Sequence, residues 1–232
     1  MGADALATAV IAAAGSGDRL GAGGPKALAE VAGRPLLAWS LAAVAQAATI
    51  GYVVISAPPG HEDEVRSIAG DAEVVTGGAS RSESVARALE RVETDLVAVH
   101  DAARPLATSA LFDALVSELG GDPVCAGVVA AAPVADTLKR ALAGRVIETV
   151  PRSELWAVQT PQAFRVQTLR EALDTDAETL AGATDDASLI EAAGGVVRVF
   201  PWDEPNLKVT TRTDMRIAEA LLARNGPGTF AP

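Results

Sequence analysis

Cysteine, histidine, lysine and aromatic residues are all scarce in this chain of 232 residues, which has one cysteine, two histidines, three lysines and eight aromatic residues. A single thiol cannot form an internal disulfide, which fits a reducing compartment. No run of about 18 apolar residues is present, so a transmembrane helix is excluded, and no basic segment precedes the first apolar stretch. We therefore expect a cytoplasmic protein with no membrane partner.

Positive charge is also in short supply. The 19 Lys and Arg residues are outnumbered by 30 Asp and Glu residues, which gives a formal net charge of −11. Nucleic acids and anionic membranes are normally bound by positive surfaces, so this balance argues against both as partners. A small anionic ligand remains compatible, because a few cations in one cleft dominate the local field. Only three cations are lysines, Lys26, Lys139 and Lys208, and a compact ammonium suits a narrow phosphate site.

Hydrophobic residues, in contrast, make up 49 % of the chain, and their pattern predicts the fold class. Short apolar runs such as Thr8–Ala14, Tyr52–Ser56 and Leu96–His100 alternate with longer Ala- and Leu-rich segments. Fully apolar strands separated by helices indicate an α/β fold, with a mostly parallel, Rossmann-like sheet covered by helices on both faces. The length fits a single domain, residues 1–232.

The pattern changes between residues 134 and 158, where short and more polar runs surround a turn near Ala143-Gly144. We interpret this segment as a β-arm that projects from the sheet, a common device for dimerisation. Helices are predicted again beyond it, and Leu207–Thr210 is predicted to form a strand.

The first strand leads directly into the glycine-rich loop Gly15-Ser-Gly-Asp-Arg-Leu-Gly21, with Lys26 shortly after it. Glycine lets backbone N–H groups approach an anion, so this arrangement favours phosphate binding. A dinucleotide fingerprint needs glycine where this chain has Leu20, and a Walker loop needs Ser or Thr where it has Ala27. What remains is a longer loop that carries Arg19 and Lys26, two cations for a triphosphate.

A second polar cluster, Val99-His-Asp-Ala-Ala-Arg-Pro105, directly follows a predicted strand. The carboxyl ends of parallel strands are where such sheets bind ligands. Asp101 is a candidate Mg²⁺ ligand together with phosphate oxygens. Arg104 is placed either to bind phosphate or to pair with Asp101. His100 is interpreted as a packed histidine at the end of the strand rather than as a catalytic base.

Two further segments place polar residues at predicted helix starts. In the turn that precedes the third predicted helix, Ser80 and Glu83 form a capping box. Cap formation explains Ser80, whereas Ser84 is a candidate for contacting a base or a ribose. Asp185-Asp186 is explained by favourable negative charge in a first helical turn.

Six segments, in order, closely resemble the 2-C-methyl-D-erythritol 4-phosphate cytidylyltransferases of the non-mevalonate isoprenoid pathway. The opening loop by itself indicates only the wider nucleotidyltransferase group, whereas the later segments are far more selective, and the likeness covers nearly the whole chain. The six segments are Ala12–Arg19 with Pro25-Lys26, Val99–Pro105, Asp136–Arg140, Gln159–Gln162, Thr184–Ser188 and Asn206–Thr210. The resemblance implies a nucleotidyltransferase fold and transfer of a cytidylyl group from CTP to methylerythritol phosphate, assisted by Mg²⁺.

The same resemblance implies a role for individual residues. Asp101 would contact both the nucleotide and Mg²⁺. The catalytic cations that hold the CTP phosphates would be Arg19, Lys26 and Lys208. The cytosine and ribose pocket would be formed by the backbone of Ala13, Ala14, Gly78 and Ala79 with the hydroxyl of Ser84, and Gly15 would also bind CTP. The polyol phosphate would be bound by Arg104, Thr137, Arg152, Thr160 and Thr184.

Thr137 and Arg152 lie on the arm, which in this family crosses to the partner subunit, so the resemblance implies a homodimer with sites built from two chains. The chain departs from the family pattern at Ala27-Leu28, where many relatives have Gln and an aromatic residue, and at Pro205, where Asp is common. Two other functions stay open. One is a cytidylyltransferase for another polyol phosphate, such as ribitol 5-phosphate, and the other is a catalytically inactive nucleotide-binding scaffold.

Overall fold

The computed structural model describes residues 7–17, residue 20 and residues 24–225. Its strands, in chain order, are β1 (Ala7–Ala12), β2 (Glu30–Val31), β3 (Arg34–Pro35), β4 (Ile50–Ala57), β5 (Glu73–Thr76), β6 (Leu96–Asp101), β7 (Gly127–Pro133), β8 (Leu138–Leu142), β9 (Arg145–Val150), β10 (Trp156–Arg165) and β11 (Val197–Pro201). Its helices are α1 (Leu36–Val44), α2 (Glu62–Ala69), α3 (Arg81–Leu89), α4 (Ser109–Gly121), α5 (Val166–Leu173), α6 (Ala177–Gly182), α7 (Asp186–Ala192) and α8 (Arg212–Asn225), with a short 3-10 helix at Lys26–Leu28.

Seven strands form one central sheet in the order β11-β7-β10-β6-β1-β4-β5. Neighbouring strands pair in parallel except for β10, which is antiparallel to both β6 and β7. The predicted mostly parallel sheet is therefore confirmed. None of the helices in the described ranges has the length and apolar character needed to cross a membrane.

Helices cover both faces of the sheet. Alternate side chains of each strand point to opposite faces and pack against them. On β1, Ile11 packs in a core cluster with Leu37 of α1 and Phe112 of α4. The neighbouring residue Val10 packs in a second cluster with Leu89 of α3. Both faces of β1 are thus apolar, which explains why this strand reads as a continuous hydrophobic run.

Strands β8 and β9 form a separate two-stranded antiparallel sheet. We use the term arm for residues 134–155, since the strand β10 already begins at Trp156. The predicted end of the arm at residue 158 is therefore wrong, because Trp156 and Val158 pair with Pro133 and Ala131 in the central sheet. Nearly every residue of the two arm strands is exposed.

The strand predicted at Leu207–Thr210 is absent from the described structure. Val209 is fully buried, and its N–H donates a hydrogen bond of 2.8 Å to the carbonyl of Ala103. The segment therefore packs against the loop that follows β6 and adds no strand to the sheet. This packing brings Lys208 to the carboxyl end of β6.

Candidate functional site

A cleft of about 550 Å³ opens at the carboxyl ends of β1 and β6. These strands are parallel neighbours, and Ala12 is paired in register with Asp101, so the loops that follow them start side by side. The cleft is lined by every residue that the resemblance assigned to the nucleotide and that the structure describes, namely Ala13, Ala14, Gly15, Lys26, Gly78, Ala79, Ser84, Asp101 and Lys208. Arg19 lies outside the described residues.

The turn before α3 forms one wall of this cleft and is shaped by two glycines. A Cβ atom on Gly77 would lie 2.4 Å from the Cβ of Ala14, and one on Gly78 would lie 2.4 Å from the Cγ of Glu83. Only glycine allows this close approach. The hydroxyl of Ser84 accepts a hydrogen bond from the N–H of Gly78 (3.0 Å) and donates one to the carbonyl of Ser80 (2.8 Å). Ser84 therefore holds the turn in its shape.

Lys26 is brought to the cleft by the glycine-rich loop. Its N–H donates to the carbonyl of Gly15 (3.2 Å), so the loop folds back on itself. Gly17 has φ +79°, and a Cβ at this position would lie 3.0 Å from the backbone nitrogen of Lys26. Glycine is required here by both its positive φ and the close contact. The loop therefore fixes the backbone from which the Lys26 side chain extends.

Four charged side chains form a continuous chain of ion pairs that begins in the cleft and continues into the protein. The Nζ of Lys208 lies 2.5 Å from Oδ2 of Asp101, and Nε of Arg81 lies 2.8 Å from Oδ1 of the same carboxylate. Nη1 of Arg81 then lies 2.7 Å from Oδ2 of Asp186. We call these four residues the charge chain. Its cations and anions alternate, so its formal charges sum to zero.

The charge chain shifts the titration of its members. Burial by itself raises the pKa of Asp101, but Arg81 and Lys208 outweigh this effect and hold that pKa well below its usual range. Burial opposes the charge of Arg81, yet its two carboxylate partners raise its pKa. Burial also raises the pKa of Asp186, although Arg81 opposes this change. Asp101 is therefore an anion at any physiological pH.

A smaller cleft of about 200 Å³ adjoins the first. It is lined by three of the residues that the resemblance assigned to the polyol phosphate, Arg104, Thr160 and Thr184. Arg81, Asp101 and Lys208 line both clefts, so the two spaces share a wall made of charged groups. Two anionic ligands bound in these clefts would meet at this wall.

Thr137 and Arg152 are placed differently. Both are exposed, lie at the foot of the arm and line neither cleft. One chain therefore does not bring them together with Arg104, Thr160 and Thr184. Their assignment to the site of a partner subunit stays a prediction.

Sequence reasoning missed two members of the charge chain, Arg81 and Asp186. Arg81 is the first residue of α3, directly after the cap Ser80, whose hydroxyl accepts a hydrogen bond from the N–H of Glu83. A cation in the first turn of a helix is disfavoured by the helix dipole. That unfavourable position was the available signal that Arg81 has carboxylate partners elsewhere. Asp186, in contrast, suits its first-turn position, and only its complete burial in the fold singles it out.

The donor chemistry of the site bears on whether it fits Mg²⁺. Among the residues that the structure describes, no group of three or more His, Cys, Asp or Glu side chains forms a ready-made metal site. Mg²⁺ usually takes only one or two protein carboxylates and completes its shell with water and substrate phosphates. Asp101 offers one ionised carboxylate that faces both clefts, and each of its oxygens has a further lone pair besides its ion pair. The residues present therefore fit a magnesium ion that is held jointly with a nucleotide.

His100 precedes Asp101 but faces the core. Its side chain is fully buried, its ring lies edge-on to Phe112 with centroids 5.2 Å apart, and its Nδ1 is 3.3 Å from the hydroxyl of Thr160. Burial lowers the pKa of His100 from its ordinary value of 6.5 to about 4. A neutral, buried ring agrees with a packing role.

This burial predicts a pH-dependent stability. The unfolded chain binds a proton at His100 near pH 6.5 and the folded chain only near pH 4, so stability is complete above pH 6.5 and is lost as the pH falls towards 4. Between pH 7.5 and 5 we expect His100 to remove about 2 kcal/mol from the free energy of unfolding. Urea unfolding at both pH values should show this loss in the wild type and not in His100→Gln.

The exposed histidine His61 provides the control. His61→Gln should lose as much stability between the two pH values as the wild type. An equal loss in His100→Gln would show that His100 is not the group that titrates.

Comparison with known proteins adds independent findings. A family model described as 2-C-methyl-D-erythritol 4-phosphate cytidylyltransferase matches residues 7–224. The chain is 45 % identical over 228 residues to the protein of that name from Frankia casuarinae, covering 96 % of this chain and 84 % of that protein. It is 42 % identical over 223 residues to the one from Gloeobacter violaceus, covering 92 % and 94 %. A crystal structure of the protein of the same name from Thermus thermophilus has a TM-score of 0.76 at 34 % identity, covering 95 % of this chain and 99 % of that one.

Proposed function

Since the chain belongs to the 2-C-methyl-D-erythritol 4-phosphate cytidylyltransferase family, we propose that it transfers the cytidylyl group of CTP to 2-C-methyl-D-erythritol 4-phosphate. The products are 4-diphosphocytidyl-2-C-methyl-D-erythritol and pyrophosphate. The observation that carries this proposal is the pair of adjoining clefts with a shared wall of Arg81, Asp101 and Lys208. A reaction between two phosphate-bearing substrates requires such a meeting point, because the two anions repel each other unless cations neutralise their charge.

The chemistry needs no general base. An oxygen of the acceptor phosphate attacks the α-phosphorus of CTP, a new P–O bond forms, and the bond to the β-phosphate breaks to release pyrophosphate. The second pKa of a phosphate monoester is about 6, so the attacking oxygen is already anionic at neutral pH. This agrees with His100, a buried histidine whose pKa is far below neutrality.

Catalysis then depends on positioning and on neutralising charge. Lys26 and Lys208 both line the larger cleft, and the resemblance adds Arg19. We propose that these cations hold the triphosphate and stabilise the negative charge that develops on the α-phosphate and the departing pyrophosphate. Lys208 lines both clefts and so lies next to the path between acceptor and donor.

We propose that Asp101 is the protein ligand of Mg²⁺. When bound, the ion would neutralise charge on the phosphate oxygens of CTP. Arg81 and Lys208 hold the Asp101 carboxylate ionised and in place from either side. Arg81 is the partner that stays engaged if Lys208 turns to a phosphate, because its guanidinium is held at both ends.

We call the smaller cleft the acceptor cleft, and we propose that a second copy of the chain completes it. Arg104, Thr160 and Thr184 come from one subunit, and Thr137 and Arg152 come from the arm of the other. The arm exposes large apolar side chains, with Leu142 at 72 %, Val146 at 63 % and Ile147 at 60 % exposure. Several exposed apolar side chains on one short hairpin favour a contact with another protein. A second copy of the chain is the partner that would also complete the cleft. The single buried cysteine, Cys125, fits the cytoplasmic location that we propose.

A coupled assay of pyrophosphate release tests the function. The chain is incubated with Mg²⁺, CTP and one acceptor at a time, either 2-C-methyl-D-erythritol 4-phosphate or ribitol 5-phosphate. We expect release with the first acceptor and at least tenfold lower kcat/KM with the second. Preference for ribitol 5-phosphate would replace the proposed acceptor. CTP binding without turnover with either acceptor would instead indicate a nucleotide-binding scaffold.

A further inference from the structure

We propose that Arg81 and Asp186 form a positioning pair. The pair fixes the start of α7, which borders the acceptor cleft, against the start of α3, which borders the larger cleft, called here the nucleotide cleft. Asp186 therefore controls affinity for the acceptor and not for CTP. The inference rests on the proposed function. Neither residue is assigned to a substrate by the resemblance, and Asp186 lines neither cleft.

The pair joins two helices that serve different substrates. Arg81 begins α3, whose first turns carry Ser84 and follow the nucleotide-binding turn. Asp186 begins α7, which is capped by Asp185. Thr184 precedes this cap, and both Thr184 and Asp185 line the acceptor cleft. The two partners are 105 residues apart in the chain, with Nη1 of Arg81 2.7 Å from Oδ2 of Asp186. The ion pair is therefore a direct bond between the two walls.

The start of α7 also contacts the central sheet, through Asp185. The Oδ1 of Asp185 is used to cap α7 through the N–H of Ser188 (3.0 Å), and its Oδ2 accepts from the amide Nε2 of Gln162 on β10 (3.0 Å). The donor of the Gln162 contact is a neutral amide, whereas both partners of the Arg81 contact are charged groups. We infer that the Arg81 contact sets the position of α7, and that the Gln162 contact refines it.

The burial of the pair points to geometry rather than to stability. The side chain of Asp186 is fully buried, and its Oδ1 has no hydrogen-bond partner among the described residues. A buried ion pair loses about as much hydration energy as it gains from attraction, and apolar residues of similar volume are often more stabilising. The rigid fork of Arg81, in contrast, is held by Asp101 at Nε and by Asp186 at Nη1. Such a fork fixes direction as well as distance.

Asp186→Asn separates this role from a general loss of structure. Asparagine retains the volume and one acceptor oxygen but removes the charge. The charge chain then carries one additional positive charge beside the nucleotide cleft, so binding of the anionic CTP is not weakened. The start of α7 is held less firmly, and the acceptor loses alignment at Thr184. We expect the KM for the acceptor to rise at least tenfold, while the KM for CTP changes less than twofold.

Binding measured without turnover provides a second readout. The CTP analogue with a methylene bridge between the α- and β-phosphates cannot release pyrophosphate. With the wild type saturated by this analogue and Mg²⁺, calorimetric titration with 2-C-methyl-D-erythritol 4-phosphate gives the dissociation constant of the acceptor. Asp186→Asn should raise that constant at least tenfold and leave the constant of the analogue within twofold.

The matched control is Asp63→Asn. Asp63 also forms an ion pair with an arginine, Arg66, at 2.6 Å, but its side chain is 97 % exposed on α2. This variant should leave both dissociation constants unchanged. Equal weakening of both ligands by Asp186→Asn, or a lower melting temperature with both constants unchanged, would overturn the proposal.

If Asp186→Asn does not fold, Arg81→Lys decides. Lysine retains the charge but cannot bridge two carboxylates as a fork does. Because Arg81 also holds Asp101, this variant should weaken both ligands, and an unchanged acceptor constant would reject the pair. Absence of transfer by the wild type would instead count against the proposed function, and the two failures are thus distinguishable.

Discussion

Lys26→Ala is expected to lower kcat for cytidylyl transfer by about 10²–10³-fold, by analogy with the loss of a single donor that stabilises a developing oxyanion. Lys26 lines the nucleotide cleft next to the glycine-rich loop. Its backbone is held by contacts with Gly15 and Gly17. The Lys26 ammonium is proposed to stabilise negative charge on the phosphates that increases in the transition state. The loss should therefore appear in kcat more than in the KM for CTP.

Two further variants make this result specific. Lys26→Arg retains the charge but replaces a compact ammonium with a planar fork, so we expect an intermediate loss. Arg66→Ala removes a cation whose side chain is 55 % exposed on α2 and should leave kcat unchanged. Near-normal kcat in Lys26→Ala, measured by pyrophosphate release, would remove Lys26 from the catalytic group.

The second large effect is the recovery of activity from two inactive variants. Arg152→Ala removes the cation proposed to reach the partner's acceptor cleft, and we expect about a 10²-fold loss of kcat/KM for the acceptor, since hydrogen bonds to charged groups contribute up to about 3 kcal/mol. Combined in one heterodimer, Lys26→Ala and Arg152→Ala chains should regain about half of the wild-type activity. One of the two sites then receives both an intact Lys26 and an intact Arg152, because the two residues of a site come from different chains.

The heterodimer is obtained by co-expressing chains with two different affinity tags and purifying in sequence. The control combines Lys26→Ala with Lys208→Ala, whose residues line the same cleft of one chain. Both sites of that heterodimer lack one lysine, so no recovery is expected. If the Lys26 and Arg152 combination also stays inactive, the arm does not complete the site of a partner.

The sequence predicted the nucleotide cleft better than the wall that it shares with the acceptor. Residues such as Ala13 and Gly78 came from the resemblance, and they lie together because they follow a strand or precede a helix at the edge where the parallel sheet gathers its strand ends. The pairing of Arg81 with Asp186 joins two helices that are remote in the chain, and no local pattern carries that information. Only the disfavoured position of a cation at a helix start hinted at it.

Two errors in the fold have physical explanations. The central strand β10 escaped prediction because Pro161 lies within it, and proline cannot donate to a ladder. The fold accommodates it because the pairing with β7 shifts register between Val158 and Gln162. Leu207–Thr210 alternates in burial as a strand does, with Val209 buried. It remains outside the sheet because its backbone bonds to the loop after β6 instead.

The foot of the arm holds the two ends of this segment side by side. Pro133 and Trp156 are paired across neighbouring antiparallel strands, and the next residues outward continue the pairing, with the N–H of Val134 donating to the carbonyl of Leu155 (3.2 Å). The chain thus leaves the sheet and returns to the same point. A short turn between Pro133 and Trp156 would close the gap that removal of the arm leaves. The arm can therefore be shortened without changing the pairing within the central sheet.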